Sequence, residues 1–76
     1  MNEDILTAFG NRVRELRLEK KLSQEKLSLV CDMDRTYISG IERGIRNISL
    51  INISRLAEAL DVAPAELLQF GGKYVK

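Results

Sequence analysis

The chain has no histidine and no tryptophan, one proline and one cysteine. Each scarcity removes a class of structure. A single thiol, Cys31, rules out an internal disulfide. Without histidine or a second cysteine there is no ligand set for a zinc ion, so neither a metal nor another cofactor is expected. No phosphate loop and no catalytic pairing stand in the sequence, which leaves an enzyme unsupported. No apolar run approaches the ~20 residues that span a bilayer. The acidic start, Met1-Asn2-Glu3-Asp4, lacks the apolar segment of a secretory signal. A cytoplasmic protein without membrane contact is the expectation.

At 76 residues the chain makes a single domain, 1–76, of a size that buries only a modest share of its surface. With disulfide and metal excluded, tight helix packing and pairing with a second copy are the ways left to stabilise it. No segment is available for a ligand-sensing domain, so no small-molecule ligand is expected. The formal net charge is +1, but the charges are unevenly placed. Arg12, Arg14, Arg17, Lys20, Lys21 and Lys26 outnumber Glu15, Glu19 and Glu25, and Arg35, Arg43 and Arg46 follow. Charge alone fits a solvated mixed-charge surface better than a binding face and does not carry the functional reading.

Helical spacing runs almost throughout. Ile5, Phe9, Val13 and Leu16 form one stripe on a helix from Asp4 to Lys20. Ser23 is placed to cap a short second helix, Gln24 to Cys31, with Leu27 and Val30 inward. Asp32 and Met33 turn the chain, and Asp34 caps a third helix, Arg35 to Arg43, with Ile38 and Ile41 inward. Gly44 is its left-handed stop. Ser49 caps a fourth helix, Leu50 to Leu60, with Leu50, Ile53, Leu56 and Leu60 inward. Pro64 opens a fifth, Pro64 to Gln69, ended by Gly71-Gly72. The tail Lys73 to Lys76 is expected to be loose. The fold class is therefore all-α, five short helices around one core.

Two capped helices joined so closely, at about 24–43, must cross steeply, and the outer face of the second projects from the surface. That face carries Arg35, Thr36, Ser39 and Gly40, with Tyr37 and Arg43 on its flanks. Arginine can make a bidentate bond to guanine, and Thr or Ser can bond a base edge or touch a thymine methyl. Gly40 costs a helix about 1 kcal/mol relative to alanine, so a close approach to DNA or to the second helix is expected there. Gln24, at a helix start, can offer its amide to a phosphate.

The run Arg14-Glu15-Leu16-Arg17, then Leu22-Ser23-Gln24-Glu25-Lys26-Leu27, then Tyr37-Ile38-Ser39-Gly40-Ile41-Glu42-Arg43-Gly44, resembles the phage-repressor-like (XRE) helix-turn-helix family. Leu56-Ala57-Glu58-Ala59-Leu60-Asp61-Val62 and Pro64-Ala65-Glu66-Leu67-Leu68 extend the likeness to Phe70. Asp34 to Arg43, followed by Arg46-Asn47, looks most like the controller proteins of restriction–modification systems. Asp32 stands where the wider family usually has glycine; aspartate tolerates the left-handed conformation.

The resemblance implies a sequence-specific transcription regulator, a homodimer on tandem double-stranded DNA operators. Arg35, Thr36 and Ser39 match base-facing positions. Tyr37, Arg43, Arg46 and Asn47 match positions near the backbone or the operator centre, although Tyr37 equally fits packing against the loop. Arg17 and Glu42 match a structural ion pair; Cys31, by its own apolar position at the end of the second helix, reads as a small core residue rather than a redox sensor. RNA polymerase is a further partner if the protein activates, with Glu25 the candidate contact. Ile51, Leu67, Leu68 and Phe70 are the expected dimer surface, an apolar surplus at the C-terminal end. Ile45 and Ile48 either pad the monomer or join that contact. A simple phage or mobile-element repressor and an antitoxin-type protein-interaction module remain as alternatives.

Overall fold

Ser23, Asp34 and Ser49 each precede a run of helical apolar spacing, and in the computed structural model each caps the helix it starts. Ser23 Oγ accepts the Lys26 N–H at 3.0 Å, Asp34 Oδ1 the Thr36 N–H at 2.8 Å, and Ser49 Oγ the Asn52 N–H at 3.1 Å. The structure describes residues 2–70, with side chains from Ile5 onward. The expected stop at Gly71-Gly72 and the tail Lys73 to Lys76 lie outside the described residues.

Among the described residues there are four α-helices: α1 (Asn2–Glu19), α2 (Gln24–Cys31), α3 (Arg35–Glu42) and α4 (Leu50–Leu60). No strand occurs among the described residues. The expected fifth helix is instead a 3-10 turn, Pro64–Leu68. Its bonds run back three residues, as from the Glu66 N–H to the Ala63 carbonyl at 2.9 Å. Five residues are too few for a stable α-helix, and this tighter winding suits a short connector. α1 begins two residues before its expected start and stops one before Lys20, while α3 stops one residue before Arg43.

All four α-helices end in the same way. A left-handed residue follows each, at Lys21, Asp32, Gly44 and Asp61, with φ between 57° and 77°. The N–H of the next residue then reaches back five positions. Leu22 donates to Arg17, Met33 to Ser28, Ile45 to Gly40 and Val62 to Ala57, at 3.0–3.1 Å. This is the Schellman closure, which satisfies carbonyls left over at a helix end. Only one of the four uses glycine. The aspartates adopt αL more readily than most side chains, whereas Lys21 does so against its propensity.

The core joins Phe9, Val13 and Leu16 of α1 to Leu27 and Cys31 of α2, Ile38 and Ile41 of α3, Leu56 and Leu60 of α4, and Leu67. Three side chains expected inside lie outside. Ile5 precedes the point where α1 meets its neighbours and is exposed. Val30 flanks the buried face of α2, which is centred on Leu27, Ser28 and Cys31. Leu50 begins α4 a full turn before its packed stretch and is 79% exposed. Leu67 differs in the other direction. Expected at a dimer surface, it is 0% exposed, because the 3-10 turn folds it under α1 and α4. Burial pushes the Cys31 thiol pKa up, which favours the unreactive protonated form.

Candidate nucleic-acid interface

α3 is fixed to the rest of the molecule through its last residue. Glu42 is buried, and its carboxylate receives a two-pronged bond from Arg17 of α1. Arg17 Nε lies 2.6 Å from Glu42 Oε2 and Nη2 lies 3.1 Å from Oε1. The third guanidinium nitrogen donates to the Leu22 carbonyl at 2.7 Å, in the link between α1 and α2. One buried pair therefore ties together α1, the α1–α2 link and α3, with fork-to-fork geometry that fixes direction as well as distance.

Gln24 joins the same cluster. Its Nε2 donates to Glu42 Oε1 at 3.1 Å. The side chain expected to extend freely to a phosphate is held inward by one amide N–H. A planar amide with one N–H so engaged retains a second. The bond also fixes which way the amide faces, since its oxygen would be repelled by the carboxylate.

At its other end α3 is open. Arg35 and Thr36 are exposed and Ser39 is half-buried. Among the described residues the Arg35 guanidinium has no hydrogen-bond or ion-pair partner. Its neighbour Asp34 is occupied with the Thr36 N–H. Arg43, Arg46 and Asn47 are also exposed, just past the helix. Tyr37 is half-buried on the flank, where its hydroxyl accepts from Asn52 Nδ2 at 3.3 Å and its ring lies 5.7 Å from the Arg46 guanidinium carbon. Gly40, expected outside, is buried, and the atoms nearest to where its side chain would stand belong to the stem of Arg46.

The outward residues thus form one surface: Arg35, Thr36 and Ser39 along α3, with Arg43, Arg46 and Asn47 at its end. Three arginines and short hydroxyl side chains on and just past one exposed helix can enter a groove and bond base edges or phosphates. Ile51 and Leu68 lie exposed on α4 and the 3-10 turn, and Phe70 is half-buried. Glu25 is exposed on α2. Among the described residues no helix is long and apolar enough to cross a membrane. Composition and spacing gave no hint of Asn52 behind Tyr37 or of Glu42 behind Gln24, because each partnership depends on how separate helices are set in space.

The helix-turn-helix family matches the chain over residues 13–67. Control protein C.BamHI of Bacillus amyloliquefaciens is 54% identical over 71 residues, which cover 92% of this chain and 88% of that protein. The crystal structure of the restriction-modification controller protein C.AhdI from Aeromonas hydrophila superposes with a TM-score of 0.80 at 56% identity, covering 82% of this chain and 94% of that one. The controller protein C.Esp1396I, as a tetramer in complex with its natural 35 base-pair operator, gives a TM-score of 0.78 at 34% identity and 86% coverage of each chain.

Proposed function

The chain belongs to the helix-turn-helix family, among the control proteins of restriction–modification systems, and from that premise we propose that it regulates transcription by binding operator DNA as a homodimer. The observation that carries this reading is the asymmetry of α3, held at Glu42 and presenting an unpartnered Arg35 and an exposed Thr36 at the other end. In helix-turn-helix proteins the N-terminal residues of the second helix contact base edges. Arg35, Thr36 and Ser39 read bases in each half-site. Arg43, Arg46 and Asn47 meet the backbone or the operator centre, beside Tyr37. Gln24 offers its remaining amide N–H to a phosphate.

The dimer forms through the exposed Ile51 and Leu68, with Phe70 beside them, across a two-fold axis. Leu67 is no part of it. Two reading helices on one dimer set the half-sites about 34 Å apart, one turn of DNA. The C.Esp1396I tetramer on its operator supports two such dimers on tandem sites. Where the protein activates, the exposed Glu25 is the surface offered to RNA polymerase.

Selection of binding sites from random duplex DNA, followed by sedimentation of the bound protein, tests the reading. An imperfect palindrome occupied by two chains is the expected result. Recovery of no preferred sequence, or of a monomer on DNA, would overturn it. The affinity should fall with salt, each neutralised phosphate contributing about −0.9 to the slope of log affinity against log salt.

A further inference from the structure

Gly40 stands inside an eight-residue helix, where glycine is the least suitable residue short of proline. Its φ is helical, so no backbone strain calls for it. What the position lacks is room. A Cβ built there would lie 2.7 Å from Arg46 Cγ, 3.2 Å from Nε and 3.5 Å from Cδ. The stem of Arg46 lies across α3 where a side chain would otherwise stand.

The chain is brought back to this point by the closure of α3. Gly44 takes φ 77°, and the Ile45 N–H then donates to the Gly40 carbonyl at 3.0 Å. Gly40 therefore anchors the loop with its carbonyl and receives the next residue with its bare α-carbon. Beyond that seat the Arg46 guanidinium carbon sits over the Tyr37 ring, 5.7 Å from its centroid. The ring is itself pinned from behind by Asn52 Nδ2 on its hydroxyl. Gly40 below and Tyr37 beside leave Arg46 a defined station next to the outer face of α3, although the residue is exposed and lies in a loop.

We propose that Gly40 is a positioning residue for operator binding: its missing side chain seats Arg46 against Tyr37, so that the guanidinium is already ordered where DNA meets it. An arginine on a loop otherwise loses much rotamer freedom when it binds a phosphate or base. The effect on DNA rests on operator binding as proposed above; the seat itself does not.

Gly40→Ala separates stability from binding. Alanine is the better helix residue, and Arg46 can swing into solvent, so Tm should not fall. Operator affinity should drop about tenfold, the scale expected when one cation–π contact is lost in each half-site. In an Arg46→Ala background the same change should leave affinity within about twofold, since coupled residues are non-additive. An equal loss in both backgrounds would mean that the new methyl meets DNA directly and would overturn the proposal, as would no loss in either. A fall in Tm that persists in the Arg46→Ala background would also overturn it. Independently of that variant, NMR of the unaltered protein without DNA should show a nuclear Overhauser contact between the Gly40 α-protons and the Arg46 γ-methylene, and its absence would refute the seat. Failure of the unaltered protein to bind any operator would instead refute the functional reading and leave the seat to be judged by that NMR contact alone.

Discussion

At the C-terminal end of α3, Glu42 is 7% exposed and shared between Arg17 and Gln24; at the N-terminal end, Arg35 and Thr36 face solvent and only Asp34 touches the backbone. Both ends are polar, yet they do opposite work. A buried charge pair is costly to half-remove and gives a fixed direction to the elements it joins. An exposed side chain costs the fold little and is left available to a partner. On the proposed reading, stability and recognition fall to different residues within two turns of helix, and substitutions should sort accordingly.

The largest effect is expected at the clamped end. Glu42→Ala leaves Arg17 buried without its carboxylate and should cost about 3–5 kcal/mol. Domains of this size hold on the order of 5–10 kcal/mol in total, so the variant should be largely unfolded at moderate temperature. Urea denaturation measures this directly. A loss below about 1 kcal/mol would show that the clamp is ornamental and remove the contrast between the ends. The double replacement Arg17→Met with Glu42→Leu should recover much of the loss, because no charge is then stranded.

Leu67 and Leu68 make a second test at the turn after α4. Leu67→Ala opens a cavity among α1, α4 and the 3-10 turn and should cost about 2–5 kcal/mol at any protein concentration. Leu68 is 51% exposed, and Leu68→Ala should change monomer stability little while weakening self-association in sedimentation. Equal behaviour of the two variants would return Leu67 to the dimer surface.

At the open end, Arg35→Ala should leave the unfolding curve unchanged and cost about 1–3 kcal/mol in binding for each half-site contact. The loss should be confined to one base pair per half-site in a selection experiment. Preference unchanged at every position would mean that the exposed end of α3 is not the reading end.

How much of this was legible in the sequence depended on range. Caps follow from residue type and the next three positions, and Ser23, Asp34 and Ser49 were visible on those grounds. The left-handed stop at Asp32 was marked by the family resemblance, which usually has glycine there; Asp61, with the same tolerance for αL, carried no such mark, and Lys21 adopts the conformation against its propensity. Periodicity marks apolar faces but not where packing ends along a helix, which is why Ile5, Val30 and Leu50 follow the apolar spacing yet lie exposed. In the site, the exposure of Arg35 followed from the periodicity of α3. Arg17 and Glu42 stand 25 residues apart, and only a family resemblance joined them beforehand. Nothing local linked Gln24 to Glu42, or Gly40 to Arg46, because each pair meets only after the helices cross or the loop folds back.

The smallest effect sharpens the comparison most, because it concerns the residue next to Arg35. Asp34 Oδ1 accepts the Thr36 N–H at 2.8 Å, a side-chain bond to the backbone of the first turn of α3. Asp34→Ala should cost about 1 kcal/mol, the usual loss of an N-cap, and lower Tm by roughly 4–8 °C in a domain of this size. Asp34→Asn keeps an oxygen in the same place and should cost almost nothing, since asparagine caps as well as aspartate. Thermal unfolding of the two variants beside Arg35→Ala therefore gives a pattern: a loss at position 34 only when the acceptor is removed, and none at position 35. If Asn were as damaging as Ala, the negative charge and not the cap would be what the fold needs. The open end of α3 would then be tied down electrostatically, as its clamped end is, and the division of labour between them would fail.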